Sequence, residues 1–122
     1  MSSVHASTRS VGIQKRLTAL EKMEVHAVTV DTTVGALDIN AILEVTSGTG
    51  KTVTFPQDSA DTKILIGHWG LIRQGGAGAV SLVAGASATI NEQIADLAGA
   101  GRVARWTKVA ANTYDITGNY VS

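Results

Sequence analysis

From about residue 25 onward, apolar side chains recur at every second position in short runs, and Gly, Asn or Asp interrupts each run. A period of two belongs to strands, because successive side chains on a strand point to opposite faces. In "ALDINAILEV" the pattern places Leu37, Ile39, Ala41, Leu43 and Val45 on one face and Asp38, Asn40 and Glu44 on the other. "KTVTF" sets Val53 and Phe55 against Thr52 and Thr54, and Pro56, which has no amide to donate, ends the run. Further strands are predicted at 25–30, 63–67, 69–74, 79–84, 87–91, 102–109 and 113–117. The exception is "NEQIADLAG", where Asn91 is placed to cap a single helical turn ending at Gly99. Many short strands with frequent turns indicate an all-β fold, a small β-sandwich or barrel of jelly-roll-like type.

A chain of 122 residues forms one domain and buries roughly two-thirds of its unfolded surface. Only Phe55, Trp69, Trp106, Tyr114 and Tyr120 are aromatic, so the core is expected to be built mainly from Val, Ile, Leu and Ala.

The first 24 residues follow a different pattern. Residues 1–9 are polar, rich in Ser and Thr and without periodicity, as in an arm that gains order only against another surface. From Ser10 to about Glu24, Ile13, Leu17 and Leu20 fall at helical spacing among polar residues, with Ser10 as N-cap. Two heptads are too short to hold a helix alone, so this stripe must bury itself on its own domain or on copies of itself. The expected organisation is an arm and short helix over 1–24, followed by a β-domain over 25–122. The N-terminus has no apolar core of a secretory signal, and no run approaches the ~18 apolar residues of a membrane span.

"TSGTGKTV", residues 46–53, imitates a phosphate-binding loop. That loop requires G-x-x-x-x-G-K-[ST], with a helix beginning at the lysine so that its first amides hold phosphate. Here Val45 stands at the first glycine position, and the residues after Lys51 alternate as a strand. Gly48 and Gly50 are expected to be the positive-φ residues of a hairpin joining the flanking strands.

Other chemistry has little support. His5, His26 and His68 do not sit at metal-pair spacing, and no cysteine is present for a disulfide or thiolate site. Asp58 and Asp61 follow Pro56 in a polar loop, where solvated turn residues are the ordinary explanation. No serine lies in a nucleophile elbow. No catalytic residue, cofactor or metal is expected, and the chain does not read as an enzyme. Ten basic and ten acidic residues cancel without a basic block, which argues against nucleic acid as a partner. Trp69 and Trp106 are the remaining candidates: surface-recognition aromatics if exposed, core or interface packing otherwise.

The second half carries a family likeness. "IRQGGAGAVSLVAGASATIN" (72–91) followed by "GRVARWTKVAANTYDITGNYV" (101–121) resembles the small β-domain of bacteriophage fibre tips and virion appendages. Gly76, Gly78, Val80, Ile90, Asn91, Lys108, Val109, Asn112, Tyr114 and Gly118 occupy the places of that pattern, with Gly76-Ala77-Gly78 and "AANT" expected as hairpin turns. Trp106 departs from it, standing where the family more often has an aliphatic residue. Proteins of this type are usually homotrimers, which implies Ile13, Leu17 and Leu20 as a trimer interface. Fibre tips normally end a longer chain with a shaft, whereas here a short arm and helix precede the domain. The resemblance therefore implies a head decoration, or cement, protein on the capsid surface, made in the host cytoplasm. Its partners would be its own copies and the major capsid protein, reached through an arm containing Val4, His5 and Arg9. The alternative it implies is a fibre tip that binds a host glycan through Trp69 or Trp106.

Overall fold

A computed structural model describes residues 23–92, 96–97 and 99–118. The described residues are mostly strand: β1 (Glu24–Val28), β2 (Thr32–Thr33), β3 (Ala41–Val45), β4 (Lys51–Phe55), β5 (Trp69–Gln74), β6 (Val80–Ala84), β7 (Thr89–Glu92), β8 (Val103–Ala110) and β9 (Thr113–Gly118). One short 3-10 turn, Ala36–Asp38, lies between β2 and β3. The arm and helix expected before residue 23 lie outside the described residues.

Two sheets form. A six-stranded sheet has the order β1-β3-β5-β8-β9-β7, and a three-stranded sheet has the order β2-β4-β6. Each of the first three strand pairs places one strand in each sheet, so the chain crosses from sheet to sheet and then returns one level along. Pairing is parallel throughout this region: β1 with β3, β3 with β5, β2 with β4 and β4 with β6. Ile42 faces Leu71 in the large sheet and Lys51 faces Val80 in the small one. The offset is identical in the two sheets, so residues 42–55 and 71–84 are one structural unit stacked on another.

This topology corrects the hairpins expected around the glycines. Residues 46–50 and 75–79 are arches that carry the chain between sheets, and the strands they join do not pair with each other. Gly48 and Gly50 do not have positive φ; that conformation is found at Gly67, Gly99, Gly101 and Gly118. The lower arch lies directly against the upper one. The amide of Gly78 donates to the carbonyl of Ser47 (2.8 Å), and that of Lys51 to Ala79 (2.9 Å). A Cβ on Gly78 would fall 2.0 Å from the Thr49 carbonyl oxygen, and one on Gly76 2.4 Å from that of Ser47. Glycine is required there by the close approach of two backbones, not by φ.

The "AANT" turn is a hairpin. β8 and β9 pair antiparallel across Ala111-Asn112, with Asn112 at φ 54°, a conformation asparagine tolerates better than most residues.

One predicted strand and the first half of another are replaced by turns. Across 37–40 the expected faces are inverted: Leu37 is 73% exposed and Asp38 is 1% exposed. The Asp38 carboxylate accepts hydrogen bonds from the Gly35 amide (2.9 Å) and the His26 ring (2.7 Å), which hold it inside and coil the segment. Asn40 then takes φ 55°, and its amide donates to the Trp69 carbonyl. At 63–67 only Ile64 is buried. His68 closes this turn, its ring accepting from the Leu65 amide and its own amide donating to the Leu65 carbonyl, while Gly67 takes φ 97°. Asn91, expected as a helix cap, belongs to β7, and Asp96 forms an extended bridge to Ser81; residues 93–95 and 98 of the expected helical turn lie outside the described residues.

Both sheets contribute to one core. Leu43, Val45, Ile72, Trp106 and Ile116 come from the large sheet, and Val53, Phe55, Val80 and Leu82 from the small one. At its centre Phe55, Trp106 and Tyr114 meet edge-on or tilted, with centroids 5.2–6.1 Å apart, a geometry in which the edge of one ring meets the face of another. The aliphatic core expected from composition therefore has an aromatic centre.

Candidate functional site

The face of the large sheet that points away from the core carries alternate residues of each strand. In-register pairing sets Val25, Ile42, Leu71, Arg105 and Thr117 in one row, with Trp69 beside Thr107 and Asp115 in the next. Trp69 is half-buried, and the Arg105 guanidinium sits 4.4 Å from its ring centroid. A cation over an indole face contributes on the order of 0.5–1 kcal/mol at an exposed site. It also covers the face that a sugar ring would stack on. Glu44 and Arg73 form an ion pair nearby on the same surface.

Trp106 is on the opposite side of the sheet. It is fully buried between Phe55 and Tyr114, so its place as a surface-recognition aromatic is corrected. The reason lies in the alternation of β8: Ala104, Trp106 and Lys108 point inward, and Val103, Arg105 and Thr107 outward. Gly70 makes room for the indole, since a Cβ there would lie 2.7 Å from Trp106 Nε1 and 2.3 Å from the Asp38 carbonyl oxygen.

Lys108 shares that inward face, which is unusual for a lysine. Its Nζ donates to the Ile64 carbonyl (2.7 Å) and pairs with the Asp58 carboxylate (2.5 Å). Asp58 and Asn112 bind reciprocally: the Asp58 amide donates to Asn112 Oδ1 (2.7 Å), and the Asn112 amide donates to Asp58 Oδ1 (3.2 Å). Tyr114 adds a third tie, its hydroxyl donating to the Pro56 carbonyl (2.7 Å). Together these groups fasten the loop between β4 and β5 onto the β8–β9 hairpin. Asp58 is thus a clamp and not the free turn residue expected. The available signal was Lys108 itself, a charge at an inward position of an alternating strand.

The Lys108 ammonium, and then the Asn112 amide, hold the Asp58 carboxyl below its usual value of 3.8, with desolvation opposing. Burial pushes the Tyr114 phenol up to about 12, with the Asp58 and Asp61 charges adding to it. A carboxyl whose pKa is depressed by folding stabilises the fold above its unfolded value, and that contribution is lost as pH falls through the lower folded value. Asp58→Asn should therefore lower the melting temperature at pH 7, and the gap to wild type should close as pH falls below 3.8 through the lower folded value. Parallel thermal melts by circular dichroism test this; a gap that stays constant with pH would show that Asp58 acts without its charge.

The remaining residues singled out from sequence are scattered. Val4, His5, Arg9, Ile13, Leu17 and Leu20 lie outside the described residues. His26 is engaged with Asp38, and His68 with its own turn. Among the described residues no three His, Asp or Glu side chains converge as a metal-binding group, and no helix is long and apolar enough to cross a membrane. Lys51 opens β4, so no helix N-terminus faces the "SGTG" arch. Lys51→Ala should leave the fold intact, and neither protein should bind ATP or GTP in a calorimetric titration; nucleotide binding lost in the variant would reverse that reading.

No protein-family model, curated protein or solved structure matches this chain.

Proposed function

We propose that the chain is a bacteriophage virion structural protein, a trimeric head decoration protein that binds the assembled capsid and stabilises it. The reading rests on the sequence resemblance, and what supports it is the work done by the residues that carry it. Gly76 and Gly78 are pressed against the backbone of the arch above, Val80 and Tyr114 fill the core, and Asn112 turns the hairpin that Lys108 helps to fasten. These are the duties of a rigid framework. In the same reading the two sheets form a small sandwich built from stacked arches.

Stabilisation would follow mass action, because the protein binds the assembled shell and not the dissociated subunits. Residues 1–9 would attach it, with Val4, His5 and Arg9 as contacts to the major capsid protein. The alternative, a fibre tip that recognises a host glycan, would rely on Trp69 and Trp106. Burial of Trp106 and the Arg105 guanidinium over Trp69 count against it.

Deleting residues 1–9 should leave a folded, soluble trimer that no longer co-sediments with undecorated heads. Light scattering should report about three times the 12.6 kDa chain mass for both forms. Full co-sedimentation of the truncated protein would move the attachment to the β-domain.

A further inference from the structure

The two ends of the large sheet differ. β3 and β5 run parallel and begin at one end, and β8, antiparallel to β5, finishes there. The turns leading into β3 and β5 expose Leu37, Leu65 (58%) and Ile66 (64%), and β8 adds Val109 beside them. Asp61 Oδ2 lies 3.7 Å from where a Cβ on Gly35 would stand, and the Gly67 amide donates to the Lys108 carbonyl (2.7 Å), so the three segments are held together. The arches at the opposite end, 46–50 and 75–79, contain no large aliphatic side chain.

Leu65 and Ile66 do not sit on a loose loop. Ile64 is buried beneath them, its carbonyl accepts from the Lys108 ammonium, and the His68 ring accepts from the Leu65 amide. A turn fixed in this way has little left to lose in ordering when it binds, as a preformed contact surface requires. The charges at its root indicate the partner. Asp61 and Lys63 lie two residues apart, and neither is buried. A lipid headgroup layer or a strongly charged protein would call for one sign around the apolar tip. An acid and a base on one loop complement a copy of that loop.

We propose that this tip is where copies of the chain meet. Around a cyclic axis each copy offers Asp61 to one neighbour and Lys63 to the other, while Leu65 and Ile66 gather at the centre. The number of copies rests on the trimer reading above; the contact itself is assigned to the β-domain and not to Ile13, Leu17 and Leu20.

Light scattering on the full chain tests this. Leu65→Asp combined with Ile66→Asp should cut the mass to that of one chain and leave the circular dichroism spectrum unchanged, since both side chains already face water. Lys63→Glu should raise the concentration of half-dissociation by about tenfold, and adding Asp61→Lys should recover most of that loss by exchanging the signs. A wild type that scatters as one chain would overturn the trimer and the tip together. A trimeric wild type with an equally trimeric Leu65→Asp/Ile66→Asp variant would overturn the tip alone. Flotation of the wild type but not that variant with phosphatidylcholine vesicles, at equal masses, would make lipid the partner and overturn the inference as well.

Discussion

Gly78→Ala should be the most damaging single methyl addition among the arch residues. The new Cβ would meet the Thr49 carbonyl oxygen at 2.0 Å and the Thr49 carbonyl carbon at 2.4 Å, both backbone atoms that no rotamer change can move. Relief requires the two arches to separate, which breaks the Gly78 to Ser47 and Lys51 to Ala79 hydrogen bonds and opens the small sheet where the β4–β6 pairing begins. Overpacking of this kind costs about 3 kcal/mol or more, a large part of the stability of a domain this size. Gly48→Ala is the control: its Cβ meets nothing within 4 Å, so the change should stay within about 0.5 kcal/mol. Denaturant titration of the two variants decides the matter. Similar midpoints would mean that the arches are not packed as described.

Trp106→Ala should cost about 3–5 kcal/mol, the range for deleting a fully buried large aromatic side chain. Phe55 and Tyr114 would lose their shared neighbour, and the space left behind lies between the two sheets, where partial collapse must drag strands with it. Trp69→Ala should cost far less, about 1 kcal/mol, since its half-exposed ring loses mainly the Arg105 contact. Equal losses at the two positions in chemical denaturation would contradict the assignment of one tryptophan to the core and the other to the surface.

Strand positions were readable because alternation is a local property. β4, β5, β6, β8 and β9 fall within about two residues of their predicted bounds, and β3 keeps only the second half of the strand predicted for it. Partners were not readable, because pairing joins residues far apart. The glycines of "SGTG" and "GAG" look like hairpin turns when each is read alone; only the common offset of Leu71 from Ile42 and of Val80 from Lys51 marks the two arches as stacked copies of one unit. The alternation at 37–40 misled for a further reason. A single carboxylate, Asp38, had two donors waiting inside, and hydrogen bonding outweighed the exposure of Leu37. Of the candidate residues, Trp106 followed the inward side of β8, which its neighbours Ala104 and Lys108 already marked. The cation covering Trp69 comes from a strand more than thirty residues away, beyond any local pattern.

The order of strands in the large sheet has a consequence for how the chain acquires its shape. Among the described residues the hairpin pairing is β8–β9; β5 leans on β8, β3 on β5 and β1 on β3. Chain synthesis runs the other way, from β1 towards β9. The first strands to leave the ribosome therefore wait for neighbours that have not yet been made, and the two-residue turn at Ala111-Asn112 comes late in synthesis. Because loop closure must precede the reward of distant pairing, the β8–β9 turn is the pairing that closes at the least entropic cost, and until it is made the parallel strands have only their polar side chains, such as Glu24, Glu44, Thr52, Thr54 and Arg73, to oppose association.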